Sequence, residues 1–303
     1  MKDYIYERFP ASFFEEETRC DYVISEDQKK LWAVELDMLN HLLDVCKKHD
    51  IQMFVYAGTM LGAVRHNGFI PWDDDMDFFL TRENYEKLRK VAPEEFKEPY
   101  FFQNARTDRQ FFIGYSRLRN SDTTGILRWE KSLDYNNGIY LDLFVMDAFI
   151  NDRKLVTKQR RKAKFLGKLM EHYYATTEHR NLGQRIILKL YQNTFCKLVP
   201  YDRLMEKYDQ TLRMYEGKTD LYAMLTHNDS FDNWFSKEDV SETIWMDYEN
   251  IKVPVPKNYD KMLKIQFGDY MKLPPVEERG FWHGDNITYD PDTPYKDYIR
   301  EHQ

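Results

Sequence analysis

Apolar residues along the chain switch repeatedly between a helical and an extended period. From Ser25, Leu31, Val34, Met38, Leu42 and Val45 recur at three- and four-residue steps, which predicts one long helix with a single buried face. Ser25 followed by Glu26 and Asp27 supplies its cap and first-turn acids, and Lys47–Lys48 suits its end. A short strand over Gln52–Tyr56 follows, then a helix opened by Ala57-Gly58-Thr59 with Gly68 beyond its end. Met76, Phe78 and Leu80 alternate with Asp75, Asp77 and Phe79, which predicts a strand over Asp73–Leu80. Thr81 is placed to cap a helix that runs to Ala92 and stops at Pro93. Tyr100–Gln103, Phe111–Leu118 and Gly138–Val145 read as strands, the last apolar apart from Asp142. A helical stretch runs from about Asn151 to Tyr215, Ile251–Pro256 is extended, and Tyr259–Phe267 is a helix stopped by Gly268.

This order predicts an α+β protein in three parts. Residues 1–150 form a catalytic core with a mixed sheet flanked by helices, 151–250 a mainly helical and partly basic subdomain, and 251–303 a segment packing back on the core. Residues 1–24 are aromatic and acidic without a clean period and read as an arm on that core.

Composition narrows the function classes. With 42% hydrophobic and 31% charged residues the 303-residue chain resembles ordinary globular proteins. Forty-four Lys and Arg against 51 Asp and Glu leave a net charge of −7, which argues against nucleic acid as a partner. Three dispersed cysteines, Cys20, Cys46 and Cys196, make neither a disulfide framework nor a zinc site. The N-terminus carries early acids and no apolar signal core, and no run approaches the length of a membrane span, so the expectation is a cytoplasmic protein. One segment departs from this background: Arg153–Lys168 holds eight basic residues and no acid. It reads as a solvated helix face, as peripheral contact with the inner face of an anionic membrane, or as a site for a phosphate-rich polymer.

The chemistry concentrates in Tyr56–Leu80, YAGTMLGAVRHNGFIPWDDDMDFFL. Residues i and i+2 of a strand share a face, so Asp75 and Asp77 sit side by side, and a hard divalent cation relieves their repulsion. Gly58-Thr59 opens a helix whose free N–H groups suit a phosphate, and the small Gly58 allows close approach. Either feature alone is commonplace, since Asp-x-Asp pairs occur on solvated turns and Gly-Thr is an ordinary helix start. Together, with Asp75 sixteen positions after Thr59, they predict a metal-phosphate site of the nucleotidyltransferase-β type, with Mg²⁺ or Mn²⁺ as the cofactor.

The segment GTMLGAVRHNGFIPWDDDMD resembles the LicD family of phosphocholine transferases of bacterial surface glycans, whose relatives include the fukutin-related ribitol-phosphate transferases. YLDLFVMD (140–147) and VPVPKNYDKMLKIQFGDYMKLPP (253–275) are similar to the family's later blocks. The resemblance implies a nucleotidyltransferase-like core that transfers a phospho-alcohol from a CDP-activated donor to a hydroxyl of a glycan or teichoic-acid precursor, in some cases lipid-linked, and releases CMP. Phosphocholine is the first candidate; ethanolamine, aminoethylphosphonate and polyol phosphates are alternatives, as is nucleotidyl transfer from an NTP. A degenerate, non-catalytic scaffold would have lost a metal carboxylate or the Gly-Thr turn, and this chain has neither loss.

Site residues follow from both readings. Asp75 and Asp77 match the family's metal pair. Asp142, the one charge of its strand and a match to the later block, is the third carboxylate, as ligand or base, with Asp147 second. Asp73 and Asp74 match the loop before the pair and are expected to orient it or to bind waters of the metal. Arg65 pairs with Asp73 or with phosphate. Arg117 and Arg119 share a strand face and form either a phosphate clamp or an exposed basic face. The resemblance offers His283 as a base or a phosphate contact.

Overall fold

The computed structural model describes residues 3–131, 133–177, 180–226, 231–281 and 283–302. The N-terminal arm is a short helix α1 (Asp3–Tyr6) and a hairpin, β1 (Glu17–Arg19) and β2 (Tyr22–Ile24). Helix α2 then spans Glu26–Lys48, capped by the Ser25 side chain, which accepts from the Gln28 N–H. Its apolar stripe is the largest single contribution to the core, with Leu31, Trp32, Leu36, Met38, Leu39 and Leu42 all buried.

Next come β3 (Phe54–Val55), α3 (Ala57–His66), β4 (Asp77–Thr81), α4 (Arg82–Glu95), β5 (Tyr100–Gln103), β6 (Ser116–Asn120), β7 (Thr124–Leu127) and β8 (Ile139–Ala148). Strand β8 is the axis of a seven-stranded mixed sheet, and every one of its residues is buried. On one edge it pairs in parallel with β4, which pairs antiparallel with β3. Along its other edge lie β6, backed by β5, and further on β9 (Leu221–Met224), backed by β10 (Trp234–Ser236).

Helices α5 (Arg153–Tyr173), α6 (Leu182–Asn193), α7 (Phe195–Leu198) and α8 (Tyr201–Leu212) intervene between β8 and β9. They close a second apolar cluster in which Val156, Ala163, Leu166 and Met170 of α5 meet Leu204, Met205 and Tyr208 of α8. The chain ends with the hairpin β11 (Thr243–Tyr248) and β12 (Ile251–Pro256), helix α9 (Tyr259–Phe267), strand β13 (Ile287–Asp290), which pairs with β7, and α10 (Tyr295–His302).

Several boundaries differ from the sequence reading. Pro93 lies inside α4 rather than ending it; in the last turn a proline forfeits one backbone hydrogen bond, and Phe96 N–H still reaches the Ala92 carbonyl. Thr81 does not cap that helix; its hydroxyl accepts from Asn84 Nδ2 instead. The helical stretch after Asn151 is four helices, and β9 and β10, inside the 151–250 span, return to the core sheet. The acid-bearing strand begins only at Asp77, because Asp73 N–H closes a turn on the Ile70 carbonyl and delays pairing.

Candidate active site

Residues 73–77 cross the end of the sheet in extended form, so alternate side chains share a side. Asp73, Asp75 and Asp77 line one cleft of about 910 Å³, while Asp74 is fully buried behind them. Helix α2 holds this segment from below: Gln28 Nε2 donates to the Pro71 carbonyl at 2.7 Å and Trp32 Nε1 to the Asp73 carbonyl at 3.3 Å. Thr59 holds it from the side, its Oγ1 accepting from Asp77 N–H at 2.8 Å. The Thr59 hydroxyl is thus a support for the acid strand, and it is buried.

Gly58 also acts differently from the expectation. A Cβ there would come within 2.7 Å of Asp73 Oδ2, so the group that needs the missing side chain is the Asp73 carboxylate. Tyr56, Ala57 and Gly58, at the start of α3, still face the cleft. Ala57 has a left-handed φ of 42°, a conformation that strains a residue with a Cβ.

Sheet register adds the next row. Asp77 on β4 stands opposite Asp142 on β8, and Asp142 opposite Arg117 on β6. Arg117 Nε donates to Asp142 Oδ1 at 2.7 Å, and Tyr115 donates to Asp142 Oδ2 at 3.3 Å. The third carboxylate is therefore fixed from both oxygens.

The electrostatics of the cluster are those of too many acids in too little water. Burial pushes Asp75 up to about 7, with Asp74 and Asp142 adding to the rise and His283 and Arg117 offsetting part of it. Asp77 is driven well above the carboxylate range by burial and then by Asp75 and Asp142, and Asp73 by burial and then by Asp75 and Asp74. One oxygen of each of Asp73, Asp74 and Asp75 lies within 4.8 Å of the others, and Asp74 Oδ2 is buried without a hydrogen-bond partner. An all-carboxylate donor set with unsatisfied charge fits a hard divalent cation.

The remaining expected residues divide. His283 joins the site: its Nδ1 is 3.2 Å from Asp74 Oδ1 and 3.9 Å from Asp75 Oδ2. Burial pulls its pKa down, but Asp74, Asp75 and Asp142 outweigh that and raise it. Arg65 lines the cleft wall and donates to the Tyr270 carbonyl at 2.7 Å rather than to Asp73.

Arg119 does not reach the cleft. It is wholly buried, and its guanidinium donates to Gln103 Oε1, to the Gly125 and Gly138 carbonyls and to Glu130. Arg117 is shared between Asp142 and Glu130, whose Oε1 lies 2.7 Å from Arg117 Nη1. The pair is neither an exposed basic face nor a free phosphate clamp, because β5 and the β7–β8 connection cover it. Asp147 is tied bidentately to Arg82, at 2.7 and 2.8 Å, which makes it a structural ion pair.

Three groups around the acids had no motif to mark them. Glu35 of α2 is 1% exposed with Oε2 unpartnered, and Asp73, Asp74 and Asp75 all raise its pKa after burial does. An acid on the stripe of Leu31, Val34 and Met38 was its only signal. Tyr115 and Tyr289, the latter donating to the Asp74 carbonyl at 2.8 Å, are two of 22 tyrosines and carried none.

Comparison with known proteins covers the segment that carries this geometry. Residues 50–183 match the family described as LicD/FKTN/FKRP, nucleotidyltransferase domain. The chain carries a LicD-family domain. The matched span includes Gly58, Thr59, Asp75, Asp77, Arg117 and Asp142. Over 257 residues, 80% of this chain and 91% of the relative, the sequence is 26% identical to the lipopolysaccharide cholinephosphotransferase LicD of Haemophilus influenzae. Shorter similarities join it to an uncharacterised protein of Rickettsia prowazekii, 39% identical over 17% of this chain and 19% of that protein. Another is to an uncharacterised protein of Rickettsia typhi, 38% identical over 25% of this chain and 24% of that protein.

Proposed function

We propose that this protein is a divalent-cation-dependent transferase that moves a phospho-alcohol, phosphocholine first, from a CDP-activated donor to a hydroxyl of a cell-surface glycan precursor such as a lipopolysaccharide or teichoic-acid unit. The name of the Haemophilus influenzae relative supports the phosphocholine and glycan parts. The observation that carries the chemistry is the crowding of Asp75, Asp77 and Asp142 at the wall of a cleft with room for a nucleotide.

In this reading the acceptor oxygen attacks the phosphorus that bears the alcohol, the bond from that phosphorus to the CMP oxygen breaks, and the hydroxyl proton passes to solvent water. Asp75 and Asp77 would hold Mg²⁺ or Mn²⁺, and Asp142, its orientation set by Arg117 and Tyr115, would complete the set as a ligand. Bound there, the cation would offset charge on the diphosphate and on departing CMP. Asp73 and Gly58 shape the loop facing the phosphates. His283 steadies Asp74 and Asp75, and Arg65 anchors the cleft wall. Tyr56, Trp72 and Phe144 line the same cleft, and their rings suit a trimethylammonium group through cation–π attraction.

The test is a thermal-shift series of the protein with Mg²⁺ or Mn²⁺ and CDP-choline, CDP-ethanolamine, a CDP-polyol, CMP or CTP, repeated on Asp75→Asn. A ligand selective for the folded state raises apparent stability. The expected result is a cation-dependent shift with one CDP-alcohol that disappears in the variant. A shift with CTP and none with any CDP-alcohol would replace this reading with nucleotidyl transfer.

A further inference from the structure

Helix α6, Leu182–Asn193, is a well-formed helix that buries one side chain, Leu188. Its N-terminus carries a complete capping box between Asn181 and Gln184. Its inner side is held to α5 and the residues just after it by Tyr191, which donates to the Leu169 carbonyl at 2.8 Å, and by Gln192 Nε2, which donates to the carbonyls of His172 and Ala175. The outer side is apolar and bare. Leu182, Ile186 and Leu190, at four-residue steps, are 75, 59 and 63% exposed, and Ile187 beside them is 70% exposed. Leu198 of α7 and Phe165 of α5 are exposed as well. A ridge of large aliphatic side chains left in water marks a surface made for another apolar phase.

Charge indicates which phase. From Arg153 to Lys197 there are twelve Lys and Arg and two Glu, in a chain whose net charge is −7. Arg185 and Lys189 flank the ridge on α6 itself. A groove of about 400 Å³ between α5 and α6 is floored by Leu169, Ile187, Leu188 and Tyr191, and Lys168 and Arg180 also line it. A second copy of the chain meeting this face about a two-fold axis would bring like charges together. An anionic bilayer offers both complements, phosphates for the cations and hydrocarbon for the ridge. Twelve residues make a helix about 18 Å long, too short to cross a hydrocarbon core of about 30 Å. Among the described residues no helix is long and apolar enough to cross a membrane.

We infer that α6 is a membrane-docking helix that lies in the interface of an anionic bilayer, with Leu182, Ile186, Ile187 and Leu190 below the headgroups and Lys168, Arg180, Arg185 and Lys189 among their phosphates. The inference stands apart from the transfer reaction, since it uses none of the cleft residues.

The full chain is sedimented with vesicles of phosphatidylcholine alone and of phosphatidylcholine with phosphatidylglycerol. Binding is expected only with the anionic lipid. A drop of about tenfold or more is expected in Ile186→Asp/Leu190→Asp, and a comparable drop in Arg185→Glu/Lys189→Glu. All four positions are exposed, so both variants retain the wild-type Tm and circular dichroism. Absence of binding by the wild type, equal binding to both vesicle types, or undiminished binding by the Ile186→Asp/Leu190→Asp variant overturns the inference. So does sedimentation velocity that finds a lipid-free dimer which this variant dissociates, for the ridge is then an interface between copies.

Discussion

At the scale of residues, the site is built from carboxylates that folding has placed closer together than water alone would tolerate. Burial pushes Asp75 up from an ordinary value of 3.8 to about 7 in the folded chain. The folded protein therefore binds this proton more tightly than the unfolded one, a stabilisation fully present below the ordinary value and lost as pH rises through about 7. Without divalent cation, Tm should fall across that window, and added Mg²⁺ should raise Tm more at the alkaline end than at the acidic end. A Mg²⁺ shift independent of pH in differential scanning fluorimetry would remove the carboxylates from the cation site. Asp77→Asn should reduce transfer by about a thousandfold or more while the metal-free protein keeps or gains stability, because one member of a repelling group has been neutralised. Gly58→Ala should displace the Asp73 carboxylate, which stands 2.7 Å from the new Cβ, and weaken Mg²⁺ binding by about tenfold with little change in Tm. Calorimetric titration of the cation reads that outcome.

At the scale of elements, one row across the sheet organises the site: Asp77 on β4, Asp142 on β8, Arg117 on β6 and Gln103 on β5 stand in register. Glu130 lies fully buried beneath this row and accepts from both Arg117 and Arg119. Its removal takes away the carboxylate that the two buried arginines share, leaving Arg117 with Asp142 and Arg119 with the neutral acceptors Gln103, Gly125 and Gly138. Glu130→Ala should cost about 3–5 kcal/mol in urea unfolding, whereas an exposed pair such as Lys252–Asp247, more than half exposed on both sides, should be worth less than about 1 kcal/mol. The strand pattern revealed that Arg117 and Arg119 share a face. Which side of the sheet that face meets was decided by β5 and by the 121–138 connection, elements that pair or pack only in three dimensions.

At the scale of the whole molecule, the C-terminal segment completes a site whose first acids, Asp73 to Asp77, lie more than 200 residues earlier. His283 meets Asp74 and Asp75, Tyr289 holds the Asp74 carbonyl, and β13 covers the edge of β7. Deleting residues 284–303 should lower Tm and shrink the Mg²⁺-induced shift together, since it removes both the edge pairing and the Tyr289 hydrogen bond to Asp74. A deletion variant with lower Tm but an unchanged Mg²⁺ shift would make the segment structural only. The helical layer α5–α8 stands on its own apolar cluster around Tyr201, Leu204 and Met205. Its outer surface is free to serve a different partner from the cleft.

The sequence by itself determined the long helix α2 with its Ser25 cap, strands β5 and β12, helix α9 and the placing of a Gly-Thr helix start near an Asp-x-Asp segment, because each follows from short-range periodicity and cap chemistry. It also carried the family resemblance, in a run of contiguous residues. Only the tertiary structure decided that Thr59 supports Asp77, that Gly58 makes room for Asp73, that Glu35 and His283 approach the acids, and that Arg119 is buried. These outcomes depend on which strand edges pair and which faces are covered, and side-chain period along one strand holds no information about its neighbours.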